Sequence, residues 1–164
     1  MLPVKQGGNR KRNGTFLWRG TLYLCLIIYL ALLIYLLFFS HYRQSVQGMN
    51  SVNLIPFTSI FQYLSTFSGF HTGLLTDNFF GNILAFMPFG FLLSCLYGRM
   101  RRLIKIAILS MMTSITIESL QFAFSVGAMD IDDVILNTSG GMVGYGLFRI
   151  MKQLLKSFKY RFYI

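Results

Sequence analysis

The run Asp130-Ile131-Asp132-Asp133 carries three of the chain's five carboxylates to the mouth of an apolar stretch. Charge at the edge of hydrocarbon is costly, so it marks a functional site more often than charge elsewhere. Asn78, Asn82, Glu118, Gln121 and Asn137 interrupt other parts of the same apolar sequence. Together these groups have the chemistry of a site for a polar or cationic ligand. Glu118 is the candidate catalytic group, because low dielectric raises a carboxyl pKa toward the range of a general acid–base. The aspartates could also offer hard oxygen ligands to a divalent cation, but the glycine and distal Glu of a calcium loop are absent. The reading therefore assigns no metal and no cofactor. No phosphate-binding glycine loop and no nucleophile elbow occurs. Cys25 and Cys95 lie in apolar runs and read as buried small side chains rather than a disulfide. His41 and His71 have no ligand spacing.

The elements that must position these groups are written in the hydropathy. Of 164 residues 54% are hydrophobic and 12% charged, against about a quarter charged in soluble domains. Such a chain has lipid as its solvent. Residues 20–42 contain no formal charge with His41 neutral, and at about 1.5 Å per residue they exceed a core of about 30 Å. The run is too long for a signal peptide, and Phe38-Phe39-Ser40-His41-Tyr42 is a poor cleavage site. The expected architecture is an all-α integral membrane bundle of four transmembrane helices, about 17–40, 78–98, 103–126 and 132–151. A disordered basic tail, 1–15, precedes the single domain 16–151, and a second basic tail, 152–164, follows it. Pro88 should kink the second helix. Gly140-x-x-x-Gly144 reads as close helix packing within the chain. After Pro56, the residues Phe57, Ile60, Phe61, Leu64 and Phe67 recur at helical spacing, with Thr58, Gln62, Ser65 and Thr66 opposite. Either a short amphipathic helix on the outer face or a loop segment packing on its own protein is expected there.

Net charge is +10. The bases fall between apolar runs rather than on one polar face, which excludes nucleic acid as the partner and gives loops facing the cytoplasm. With the N-terminus inside, Arg43 alone of 15 Lys and Arg is external. All five acids, including Asp77, then fall toward the outside. Helix rise puts Glu118 roughly 8 Å beneath the outer edge, with Gln121 on the same face. Asn82 and Asn137 each lie about 6 Å inward of Asn78 and Asp133. Three helices thus bring amides and a carboxyl to one level, where grouping is cheaper than isolation. The bland alternatives are interhelical hydrogen bonds and a helix N-cap.

Four motifs in series resemble the VanZ-like family. They are Asn53-Leu54-Ile55-Pro56-Phe57, then Asp77-Asn78 through Asn82 to Pro88-Phe89-Gly90, then Glu118-Ser119-Leu120-Gln121-Phe122, then 127–141 around the aspartates. The resemblance implies a multi-pass bacterial plasma-membrane protein linked to reduced susceptibility to teicoplanin-type lipoglycopeptides. It implies a phenotype, not a reaction. Three functions remain open on the residues. One is binding or shielding at the cell surface, with a lipid-linked cell-wall precursor or a lipoglycopeptide as partner beside the membrane lipids. The second is an intramembrane enzyme acting on a lipid or cell-wall precursor. The third is a non-catalytic scaffold.

Overall fold

A computed structural model describes residues 7–39, 52–61 and 74–161, with side chains described over 17–39, 52–61 and 79–157. Four long helices carry the chain: α1 (Gly7–Phe38), α2 (Leu74–Leu96), α3 (Leu103–Ala123) and α4 (Ile131–Arg161). Two-residue strands, β1 (Val52–Asn53) and β2 (Met129–Asp130), pair in parallel. Windows in α1, α2 and α3, namely Leu17–Phe38, Phe79–Leu96 and Leu103–Ala123, are long and apolar enough to cross a membrane. The molecule is a mostly helical membrane protein.

Several boundaries differ from the sequence reading. α1 starts at Gly7, so much of the segment expected as a disordered tail, 1–15, is helical. α4 continues to Arg161, so most of the expected tail 152–164 is helical too. The α4 extension follows from cooperativity: once the helix is nucleated, adding Lys, Gln or Leu is easy. The α1 extension, with Gly7, Gly8, Asn9, Asn13 and Gly14, has no such propensity. α2 runs Leu74–Leu96 rather than 78–98 and stops because Tyr97 is extended. α3 ends at Ala123, not 126. There Ser125 takes φ 53°, its N–H bonds the Phe122 carbonyl at 3.0 Å, and Val126 N–H bonds the Gln121 carbonyl at 2.9 Å. This is a Schellman closure with serine in the left-handed position that glycine usually fills. After Pro56, residues 58–61 form one helical turn. Gln62, Leu64, Ser65, Thr66 and Phe67, like His41 and His71, lie outside the described residues. The paired strands were not expected in an all-α chain.

Burial is inverted relative to a soluble bundle. The buried residues of α3 are Ile106, Ser110, Ser114, Glu118 and Gln121, while Ile104, Ile108, Met112 and Ile115 face outward. Steps of four and three put the polar set on one face. Lipid solvates the apolar face of α3, so its polar groups gain most by turning inward. α1 buries little beyond Leu33, and its Cys25 is exposed rather than buried. Tyr29 Oη nonetheless donates to the Ala85 carbonyl at 2.7 Å, in the turn ahead of Pro88, where the helix ladder is interrupted.

α2 and α4 form the main packing contact. Phe86, Phe89, Leu93, Tyr145 and Phe148, with Ile106 from α3, make the apolar cluster between them. Glycines allow the backbones to meet. A Cβ at Gly140 would overlap the Ile83 carbonyl, one at Gly144 the Met87 carbonyl, and one at Gly90 the Gly141 carbonyl. The Gly-x-x-x-Gly stripe is thus an intrachain seat for α2. Gly144→Ile is expected to separate the pair: overpacking costs about 1–3 kcal/mol, and here the obstacle is backbone that cannot rotate away. The melting temperature of the detergent-purified protein should fall by many degrees. Gly81→Ala, where nothing lies within 4 Å, should leave it unchanged.

Candidate functional site

The acid-rich turn is built upward from helix capping. Asp130 precedes α4, and its Oδ1 accepts the Asp132 N–H at 2.9 Å. That is the N-cap bond to the second helical residue. Asp130 also holds the upstream segment: Oδ1 accepts from Asn53 Nδ2 at 3.1 Å and Oδ2 from Ser59 Oγ at 2.6 Å. Asn53 Nδ2 bonds Ser59 Oγ as well, at 3.1 Å. β1 and β2 bring these residues into register, Val52 with Met129 and Asn53 with Asp130.

Asp132 is fully buried. Its Oδ1 accepts the Phe57 N–H at 2.6 Å; its Oδ2 accepts Ser59 N–H at 2.7 Å and Ile60 N–H at 3.2 Å. A helical turn leaves its first N–H groups without internal partners, and this carboxylate caps the 58–61 turn from another element. Phe57 sits at φ 69°, an uncommon conformation for a bulky residue that persists only where surroundings enforce it. The Asp132 bond to its N–H is such an enforcement. Asp133 accepts from Asn82 Nδ2 at 2.6 Å, tying α4 to α2.

Below the turn, a polar seam runs between α3 and α4. Glu118 Oε2 accepts the Asp130 N–H at 3.2 Å. One turn lower, Asn137 Nδ2 donates to Ser114 Oγ at 2.8 Å. Another turn lower, Ser110 abuts Gly141. Gln121 Nε2 leaves the seam and donates to the Leu37 carbonyl at the end of α1, at 2.9 Å. Ser110 Oγ, Gln121 Oε1, Asn137 Oδ1 and Thr138 Oγ1 are buried polar atoms with no hydrogen-bond partner.

The expected site residues therefore gather at one end of the bundle, where they act as distinct ties between elements. Asn82 goes to Asp133, Gln121 to α1, Asn137 to Ser114, and Glu118 to the β2 backbone. Asn78 lies on α2 with its side chain outside the described residues. Among the described residues, no three His, Cys, Asp or Glu side chains could jointly hold a metal ion. Asn53, Ser59, Ser110 and Ser114 were not singled out as site residues. The spacing Ser110, Ser114, Glu118 was the available signal for the seam.

The VanZ/LLP1 family model matches residues 26–152, which is most of the chain. This protein belongs to the VanZ/LLP1 family. A relative from Enterococcus faecium named Protein VanZ is 33% identical over 138 residues, covering 82% of this chain and 75% of its own. No solved structure matches. The VanZ match takes in the whole clasp: β1, the 58–61 turn, Asn82, the α3 seam and the start of α4 all fall within it.

Within this VanZ domain the buried Asp132 accepts three backbone N–H bonds, so its substitution is expected to be costly. Asp132→Ala leaves three N–H groups without their acceptor, each worth about 1–3 kcal/mol. Hydrogen–deuterium exchange should accelerate at Phe57, Ser59 and Ile60 while amides in the middle of α3 stay protected. Asp132→Asn retains one good acceptor and should show a smaller effect.

Proposed function

We propose that the protein is a four-span protein of the bacterial plasma membrane with both termini in the cytoplasm. It lowers susceptibility to teicoplanin-type lipoglycopeptides by binding or shielding at the outer face. Charge supports the orientation, since Arg43 alone of the 15 bases sits on the acid side of the spans. α4 serves as the fourth span. Its first-turn acids are held by Asn82 and by the N–H groups of the 58–61 turn.

One observation carries the reading. The aspartates hold residues 52–61 as a fixed ledge whose apolar side chains point outward: Val52, Leu54, Ile55, Phe57 and Phe61 are all exposed, Ile55 to 70%. Apolar groups beside carboxylates complement a molecule that is cationic and lipid-tailed, or a lipid-linked cell-wall precursor. The tail would lie on the ledge and the polar part against the acids. A second reading, the scaffold, is favoured by the internal bonds of Asp130 and Asp132, which serve the fold itself.

Teicoplanin susceptibility of cells expressing each variant separates the readings. Leu54→Ser with Ile55→Ser should express normally and lose protection; retained protection rules the ledge out. Asp133→Asn and Glu118→Gln that express normally and protect fully would exclude the acids. Under the scaffold reading Glu118→Gln lowers expression and thermal stability together with protection, so a stable but inactive variant rejects it.

A further inference from the structure

The opposite end of the bundle holds a second feature, unrelated to the clasp. A crevice of about 740 Å³ opens between α1, the end of α2 and the turn after it, lined by Trp18, Arg19 and Arg101 among others. A neighbouring crevice of about 410 Å³ shares Trp18, Cys95 and Arg101 and extends along α4 past Phe148 to Lys152 and Lys156. The two share those residues as a common wall. Among the described residues their walls contain four cations and no acid.

Arg101 is held in place from several sides. Its Nε donates to the Ser94 carbonyl at 3.2 Å and its Nη2 to the Cys95 carbonyl at 3.5 Å. Its guanidinium carbon stands 5.4 Å from the centroid of the Phe148 ring. It thereby caps the negative end of α2. A guanidinium has five N–H donors, so donors remain for a further acceptor. Trp18 and Arg19 lie at the start of the apolar window Leu17–Phe38, the depth at which Trp and Arg meet lipid headgroups. Apolar wall and cationic rim are thus stacked along the membrane normal.

We propose that this crevice is a binding site for an anionic phospholipid. The headgroup phosphate sits among Arg19, Arg101, Lys152 and Lys156. The upper acyl chain lies against Trp18 and Phe148. Basic pockets between membrane helices have this chemistry, and the absence of any lining carboxylate gives charge complementarity to an anion. The site does not depend on which side the clasp faces.

Trp18 is the chain's single tryptophan, so its fluorescence reports the crevice alone. The full-length protein is reconstituted in phosphatidylcholine vesicles containing a small fraction of either phosphatidylglycerol or phosphatidylcholine with brominated acyl chains. The brominated anionic lipid should quench Trp18 with an apparent affinity more than about fivefold above the brominated zwitterionic lipid, since each headgroup-contacting cation contributes about fivefold. The triple variant Arg19→Gln, Lys152→Gln, Lys156→Gln keeps Arg101 and should lower that preference to about fivefold or less. Equal quenching by the two lipids overturns the proposal. So does a preference undiminished in the triple variant, or a Trp18 that neither lipid quenches, as when the chain itself or a second copy fills the crevice. Full competition by soluble glycerol phosphate would make this an anion site rather than a lipid site, and also overturns it.

Discussion

A carboxylate sealed away from solvent must find its donors inside the protein. Asp132 finds them in the backbone of a turn whose Ser59 lies 73 positions upstream. The converse holds for the turn, whose leading N–H groups have no other acceptor among the bonds described. Neither partner is stable at a lipid boundary without the other, where an unsatisfied backbone group costs several kcal/mol. Asp130 adds a second link through Asn53 and Ser59, and β1–β2 fixes the register of both. The acid-rich turn is thus first a fastening, and its outward chemistry comes from what it fastens.

The same constraint orders the helices. With lipid outside, apolar burial drives association weakly, and close backbone contact and hydrogen bonds do the selecting. α2 meets α4 through Gly90, Gly140 and Gly144, where no side chain could stand. α3 meets α4 through Ser114, Asn137 and Glu118. α1 joins by Tyr29 and by the Leu37 carbonyl. Each contact uses a different device, which keeps the four helices from exchanging places.

Much of this was legible in the sequence. The apolar runs located four helices, with ends within about four residues except at the start of α1 and the end of α4, and the Leu103 start of α3 agrees. Gly140-x-x-x-Gly144 announced a close approach, though not that α2 was the partner, because a glycine stripe has no address. One aspartate as an N-cap was foreseeable from its place before an apolar helix; Asp130 has that role. What Asp132 does was not, since its partners are backbone N–H groups that no residue type reveals. Strands of two residues have no period to detect. Serines on α3 were overlooked because serine in a membrane helix also bonds its own backbone, as Ser119 does to the Ile115 carbonyl at 2.8 Å. The helical extension at the N-terminal end was missed because its basic residues, glycines and lack of periodicity read as disorder, and the one at the C-terminal end because its bases read as a tail.

The parallel pairing of β1 with β2 has a consequence for biogenesis. Parallel neighbours require a crossover, and here the crossover is α2 and α3 themselves. The latch cannot close during synthesis until the chain has been made past Asp132, when α2 and α3 have already been made. Closing so long a loop comes late in assembly. Until then residues 52–61 wait without the acceptor that Asp132 supplies to the N–H groups of Phe57, Ser59 and Ile60.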